Sequence, residues 1–426
     1  MSTLIFITSR FPFEPGEPFI EAEFPFLHSN FDRVIIITRN VTAKKLRTIP
    51  DDVKVYRYNP TSTSLGYLTF PFLIFRYFTK ITGIYKDEIS FRKEINRPVS
   101  FKQKLILLKK IIKALQLKIF IESIISKEKI EGKITFYSYW MNNGAHAICM
   151  LDKLDKKKIA RAHRIDLYEE ETETNYLPLL KYTYNNLHGI FFISAHGKEY
   201  FENRLRVINP KNQISRLGVV NPFKSEIRKT ASGFFRIVSC SSLIKVKRVD
   251  LIILALENLK ANRKIIWNHF GEGPLQDELH DLAKLKLGKL KNIDFQFMGQ
   301  IKNSELLKFY AGNKIDLFIN TSSSEGIPVS IMEAQSFGIP VIATYVGGVK
   351  EVVIEGTGIL LPVDLMPEDL TKMIQLYVNM TEEEINNIRI KAFKNWDLNF
   401  NASINYPDFV AKVNSIFASV KNGNKS

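Results

Sequence analysis

The chain has 426 residues, with 60 Lys or Arg against 44 Asp or Glu and a formal charge of +16. Its 45% hydrophobic and 24% charged content suits a globular protein of two domains and excludes a disordered, collagen-like or disulfide-stapled chain. The two cysteines, Cys149 and Cys240, lie in different halves and in apolar settings. Neither a disulfide framework nor a cysteine-based zinc site is on offer, and a reducing, cytoplasmic compartment is expected.

Residues 1–7 run into a short apolar strand with no basic n-region or small-residue cleavage site, so no secretion signal is expected. Further buried strands are predicted at 34–38, 134–139, 159–162 and 190–193 from short apolar runs. The longest uncharged stretch, 58–75, has an apolar core only from 65 to 75. A membrane span needs ~20 apolar residues, so this one is too short. Residues 76–129 hold fourteen basic and five acidic side chains, a local +9 that is over half of the excess charge. Within them Lys102, Lys109 and Lys113 recur on one side, and Leu108, Ile111, Leu115 and Ile119 recur at helical spacing, which predicts an amphipathic basic helix. Two readings stay open. The helix attaches to an anionic membrane surface, helped by the aromatic cluster Phe70, Phe72, Phe75, Tyr77 and Phe78, or it packs on a sheet with its lysines solvated.

A polar, proline-bearing stretch at 218–233 marks a break. After it comes a second series of strands, at 235–240, 265–270, 295–298, 317–320 and 341–344, with helices at 250–260, 274–286, 304–310 and 329–337. Such alternation predicts two parallel-sheet α/β domains, with ligands bound beyond the strand C-termini in an interdomain cleft. Helices are expected near 367–378 and 382–396. An amphipathic stretch through Phe409, Val410, Val413, Ile416 and Phe417 is then placed to return to the first domain, and residues 422–426 form a polar end. The domain boundaries expected are 1–217 with 400–426, and 218–399.

The most informative segment runs from Thr321-Ser322-Ser323-Ser324-Glu325-Gly326-Ile327-Pro328 into Val329-Ser330-Ile331-Met332-Glu333-Ala334. A strand ends in a Ser/Gly-rich loop and a helix follows, with Pro328 in its first turn. Free backbone N–H groups there suit a phosphate or diphosphate. Glu325 falls in the loop and Glu333 two turns into the helix, so the two can hold different parts of one extended ligand. Other loops join them at strand ends on the same side: Gly271-Glu272-Gly273-Pro274, Gly299 and Gly347-Gly348.

With these loops the sequence resembles the retaining nucleotide-sugar glycosyltransferases of glycosyltransferase family 4 over nearly its whole length, most strongly from 237 to 352. The resemblance implies the GT-B fold, two facing Rossmann-like domains with an interdomain cleft. It implies that Glu325, first of a Glu pair with seven residues between, contacts hydroxyls of the donor sugar, and that Glu333 accepts from the donor ribose. Backbone amides of Gly326, Ile327, Pro328's neighbour Val329, and Ser330 would hold the diphosphate, with Gly271 at the same site. The family has an Arg and, five residues on, a Lys on the leaving diphosphate. Lys247 fits the Lys, but Ser242 stands in the Arg place, with Arg248 and Lys245 as nearby substitutes. In the first half, Gly16 is the counterpart of a family glycine loop, His163 of a histidine that reaches the donor sugar, and Glu17, Asp166 and Trp140 are candidates for the acceptor side. Ser138, Tyr139 and Asn143 are further candidates to line it.

The chemistry implied is transfer of a sugar from a nucleotide-diphosphate sugar to an acceptor hydroxyl, with retention. The departing phosphate oxygen takes the acceptor proton, and Lys247 and the helix start stabilise the leaving diphosphate. No Asp-x-Asp suited to a metal-bound diphosphate occurs, so no cofactor or metal is required by this reading. Resemblance to members that build bacterial surface polysaccharides makes a lipid-linked oligosaccharide the expected acceptor, and an anionic inner membrane surface a candidate partner. The rival readings are a nucleotide-sugar epimerase or sugar phosphorylase of the same fold and, from another class, a noncatalytic basic binder of membrane or nucleic acid. The sequence shows no nucleic-acid-binding signature for the last.

Overall fold

Apolar runs long enough to be buried on both faces become the central strands of two parallel sheets, as expected where helices cover both sides. The computed structural model describes all residues except 1, 14–16, 40–46, 60–71, 152–155, 224–232 and 423–426. It divides into two units, Met1–Ser215 with Tyr406–Ser426, and Arg216–Asn405.

Among the described residues the first unit holds seven strands: β1 (Ser2–Thr8), β2 (Arg33–Arg39), β3 (Lys54–Tyr58), β4 (Lys133–Ser138), β5 (Lys156–Ala162), β6 (Gly189–Phe192) and β7 (Asn212–Ile214). Their order is β3-β2-β1-β4-β5-β6-β7, all parallel, with Ile5 of β1 level with Ile35 on one side and Phe136 on the other. The second unit has β8 (Phe234–Cys240), β9 (Lys264–Phe270), β10 (Ile293–Phe297), β11 (Leu317–Asn320), β12 (Val341–Thr344) and β13 (Gly358–Leu361), in parallel order β10-β9-β8-β11-β12-β13. Both units are Rossmann-like and α/β, as the sequence implies. In each, chain order reverses beside the first strand, between β1 and β4 and between β8 and β11. Loops leaving those neighbours diverge, which opens a crevice at their C-terminal ends.

Strands β3, β7 and β13 have no counterpart in the sequence reading. All three are sheet edges, and β3 (KVYRY) and β7 (NQI) carry polar residues where central strands carry apolar runs. The basic helix spans Phe101–Lys127, eight residues beyond Ile119, the last residue of the expected apolar face, and Lys118 within it is buried. Its buried stripe runs through Leu107, Ile111, Leu115 and Ile121, while Leu108 and Ile119 are half-buried. Lys118 pairs with Glu122 at 2.9 Å. Lys102, Lys109 and Lys113 stay exposed, so only the N-terminal half presents a basic face.

The last helix, Ala402–Asn422, packs on the first unit. Phe409 covers a fully buried ion pair in which Arg161 of β5 meets Glu23 of the helix Pro18–His28 at 3.0 Å. The Arg161 guanidinium lies 4.4 Å from the Phe409 ring centre and donates to Tyr137 Oη (2.9 Å) and to the Ser215 carbonyl (2.8 Å), while Tyr137 donates to Glu23 at 2.8 Å. Such a pair is tolerated only because each charge meets several partners at once.

Candidate functional site

In the second unit, β11 delivers Asn320 and the loop 321–328 to the C-terminal edge, beside the short turn Lys245–Lys247 that follows β8. The two segments are laced together. Ser323 N donates to the Val246 carbonyl (2.8 Å), and the Thr321 hydroxyl to that of Arg248 (2.9 Å). At their junction Lys247 Nζ donates to Glu325 Oε1 at 2.5 Å, and the same oxygen accepts from Ser322 Oγ (2.7 Å) and Asn320 Nδ2 (3.4 Å). The family pair Lys247 and Glu325, 78 residues apart in sequence, is therefore one contact.

Glycine makes this proximity possible at two points. Gly347, at φ 51°, would bring a Cβ to 1.9 Å from the Glu325 carbonyl oxygen, so the Gly347-Gly348 turn rests directly on the Glu325-Gly326 backbone. Gly271, at φ 132°, would bring one to 2.0 Å from the Ser241 carbonyl oxygen, which keeps the loops after β8 and β9 in contact. Both glycines are needed as backbone spacers.

Arg248 has a different task from the one expected. Its guanidinium donates to the carbonyls of Thr321 (2.7 Å), Ser322 (3.5 Å) and Val363, so its charge holds the loop instead of facing outward to a phosphate. Ser242 and Lys245 are both exposed on the same segment, which leaves Lys245 as the cation nearest the missing Arg.

The helix after the loop spans Val329–Gln335 with Pro328 at its cap, so Glu333 sits only a little more than one turn in, not two. The N–H groups of Val329 and Ser330, in its first turn, lack intrahelical partners as at any helix start. Glu333 is buried and accepts from Asn303 Nδ2 at 2.6 Å, and burial pushes its pKa up to about 7. Tyr310, whose hydroxyl finds no partner, and Cys240 are its neighbours. Glu325 and Glu333 thus occupy separate environments, one in a polar lattice and one in an apolar recess. Two supports escaped the sequence reading: Asn320 and Ser322, which seat Glu325, and a buried relay under Ser241. In that relay Trp267 Nε1 donates to Ser239 Oγ (3.0 Å), which meets His269 Nδ1 (2.8 Å), while His269 Nε2 lies 3.2 Å from the Ser241 carbonyl. A polar residue on the last positions of a buried strand is the signal that would find them.

In the first unit, the ends of β1, β4 and β5 meet. His163 follows β5 and is buried, its ring 4.4 Å from that of Trp140 and 4.9 Å from that of Tyr139. Neither ring nitrogen makes a hydrogen bond, and Nδ1 lies 3.7 Å from Asp166 Oδ2. Burial lowers its pKa against the opposing pull of Asp166, so the imidazole is neutral at physiological pH. Asp166 Oδ2 accepts from the backbone N–H of Met141 (3.1 Å) and His163 (3.2 Å), tying the ends of β4 and β5; its Oδ1 has no partner. The sequence reading placed Glu17 at an acceptor hydroxyl. Its carboxylate instead accepts from Ser9 N (3.1 Å), Arg10 N (2.7 Å), Phe11 N (2.7 Å) and the Trp140 indole, so it anchors the loop after β1. Trp140 is thereby held against His163, the two rings tilted by 42°. Gly16 lies outside the described residues.

Residues 221–395 match the family model described as glycosyl transferases group 1. An uncharacterised glycosyltransferase of Methanocaldococcus jannaschii is 25% identical over 61% of this chain and 69% of its own length. The O-antigen biosynthesis glycosyltransferase WbnH of Escherichia coli is 36% identical over 26% of this chain, an alignment that spans 30% of that relative. Among solved structures, Anabaena HepE, crystallised with UDP and glucose, aligns over 97% of this chain and 99% of its own with a TM-score of 0.66 at 14% identity. WaaG, a glycosyltransferase involved in lipopolysaccharide biosynthesis, aligns over 96% and 99% with a TM-score of 0.59, also at 14% identity. These likenesses extend the GT-B fold over both units. The Lys247–Glu325 contact lies inside the segment that matches the glycosyl transferases group 1 model.

Proposed function

We propose that the protein transfers a sugar from a nucleotide-diphosphate sugar to an acceptor hydroxyl with retention of configuration, extending a lipid-linked glycan in surface-polysaccharide synthesis. The observation that carries this is the Lys247–Glu325 contact, held by Ser322 and Asn320 at a strand-end crevice beside a helix start. As the anomeric bond stretches, negative charge grows on the departing diphosphate. Lys247 and the N–H groups of Val329 and Ser330 stabilise it there more than in the ground state, which is the condition for catalysis. Glu325 holds Lys247 in place and offers its second oxygen to the donor sugar, and Glu333 accepts from the ribose. The departing phosphate oxygen takes the acceptor proton on the same face of the sugar, and no metal enters this scheme. The uridine nucleotides bound by HepE support a nucleotide-sugar donor, and the roles named for WbnH and WaaG support a glycan acceptor.

The protein works, on this reading, at the cytoplasmic face of a membrane. Among the described residues no helix is long and apolar enough to cross one. Phe75 is 85% and Phe101 77% exposed, with Phe72 and Phe78 also outward, and the exposed Lys102 and Lys104 follow Phe101 in sequence. Aromatic rings with lysines around them match an anionic bilayer surface in both polarity and charge. Incubation with a panel of nucleotide sugars and lipid-linked acceptors, with the product anomer read by NMR, tests the main proposal. An inverted anomer removes retention, and turnover of donor without acceptor into a changed sugar favours the epimerase reading. Sedimentation with vesicles that ignores anionic lipid content removes the surface attachment.

A further inference from the structure

Ser242 stands where the resemblance implies an arginine, and Arg248, a nearby cation, is committed to the Thr321, Ser322 and Val363 carbonyls. The backbone of the same turn offers a donor instead. Past Cys240 the chain continues alongside β9: Ser241 N donates to the Phe270 carbonyl and Leu243 N to the Glu272 carbonyl, each at 3.0 Å. In an extended strand the intervening N–H faces the opposite neighbour, so that of Ser242 turns toward β11. There β11 ends at Asn320 and its loop diverges, and nothing among the described residues accepts from the Ser242 N–H. Ser242 is exposed, on the same strand-end edge as the Lys247–Glu325 contact.

A second observation concerns the other end of the same peptide. The Ser241 carbonyl oxygen lies 3.2 Å from His269 Nε2. A carbonyl only accepts, so Nε2 carries the proton, and burial pushes the His269 pKa down to about 4, which keeps the ring neutral and Nδ1 bare. Nδ1 therefore accepts from the Ser239 hydroxyl at 2.8 Å, and the Ser239 oxygen accepts from Trp267 Nε1 at 3.0 Å. All three side chains are buried, and every donor in the series points toward the Ser241 carbonyl. Hydrogen bonds in series in a low-dielectric interior polarise one another. The peptide bond is trans, so its N–H points away from its carbonyl, and its resonance passes the pull on the oxygen to the nitrogen. The Ser242 N–H is thus both turned outward and strengthened as a donor.

We infer that the Ser242 amide donates to the diphosphate of the nucleotide sugar in place of the missing arginine, with His269 as the positioning residue that holds and polarises the Ser241–Ser242 peptide. The inference rests on the transferase reading and deepens it. A neutral dipole then does on one side of the diphosphate what a second cation would do, and Lys247 remains the charged partner on the other.

The test titrates the full chain, isotope-labelled in its serine amides, with UDP, GDP and ADP, each beside its own nucleoside, and follows the tightest-bound pair. The Ser242 amide resonance, identified by its loss in Ser242→Ala, moves downfield with the diphosphate and stays in place with the nucleoside. His269→Phe keeps the bulk of the ring and removes its donor. It weakens diphosphate binding about threefold to tenfold with nucleoside binding unchanged, and His269→Gln, whose amide can donate to the Ser241 carbonyl, restores most of the loss. A Ser242 resonance indifferent to the diphosphate overturns the inference, as does a His269→Phe loss of equal size for diphosphate and nucleoside. Should His269→Phe fail to fold, the wild-type resonance still decides. A wild-type protein that binds no diphosphate more tightly than its nucleoside breaks the transferase reading itself. Tighter binding of the diphosphate with Ser242 unmoved breaks only the assignment of this amide.

Discussion

The two units present strand-end crevices of the same topology and furnish them in opposite ways. In the second unit the charged groups are matched: Lys247 meets Glu325, Glu325 meets Ser322 and Asn320, and Arg248 is spent on three carbonyls. In the first unit His163, Asp166, His146 and Asn143 keep buried polar atoms with no hydrogen-bond partner among the described residues. A network closed among the protein's own side chains suits a ligand part that is common to many reactions, and the second unit is where the family model matches. An unmatched set suits one particular ligand that completes it, and on the proposed reading that ligand is the acceptor. Preorganisation and specificity are here divided between two copies of one architecture.

The comparison can be broken at several points. The largest effect is expected beneath the first crevice. Glu23→Ala strands the buried Arg161 charge and destabilises the chain by about 3–5 kcal/mol, read as the midpoint shift in a urea unfolding curve. A negligible shift would mean that the first crevice stands on something other than this pair. Lys247→Ala comes next, with transfer slowed about 10²–10³-fold at unchanged unfolding midpoint. Transfer at the wild-type rate would reduce the second unit's closed network to a structural device.

Glu333 gives a pH signature. Its folded pKa is raised to about 7 by burial, so its contribution to stability is full below the ordinary carboxylate range and is lost as pH rises through about 7. Glu333→Gln removes this, and the wild-type and variant stability curves diverge by on the order of 2 kcal/mol between about pH 5 and about pH 8. Curves that remain parallel would show that the recess is wetter than it looks. The smallest effect belongs to Glu17→Gln, which weakens three backbone contacts and the hold on Trp140 at a cost of about 1–2 kcal/mol. A large loss of acceptor binding with no loss of stability would return Glu17 to the acceptor.

Central strands and their parallel pairing were legible because burial on two faces demands continuous apolar runs, and the alternation with helices demands parallel pairing. Edge strands β3 and β7 were not, since one open side lets Arg57, Asn212 and Gln213 sit where a central strand needs apolar residues. In the second unit the family resemblance singled out Glu325 and Lys247, and the fold brings the two side chains into contact. The roles of Glu17 and Arg248 were not legible. Both residues sit at positive φ, 54° and 47°, and turn their charges onto backbone groups of segments that spacing does not bring near them. The orphaned atoms around His163 were hidden for a related reason. What a polar group lacks is visible only once everything that packs around it is known.

The return of the helix Ala402–Asn422 to the first unit sets an order of events during synthesis. Arg161 and Glu23 leave the ribosome early, yet Phe409, which roofs the Arg161 guanidinium, and the Val413 carbonyl, which accepts from Lys157 at 2.9 Å, arrive after the whole second unit has been made. Until then the first sheet carries an open apolar flank at Tyr137 and Phe191, which Phe409 covers at ring separations of 5.3 Å and 4.9 Å. A nascent chain halted before residue 402 would therefore present a greasy, charged seam to chaperones, and release of the helix Ala402–Asn422 would be the step that clears it.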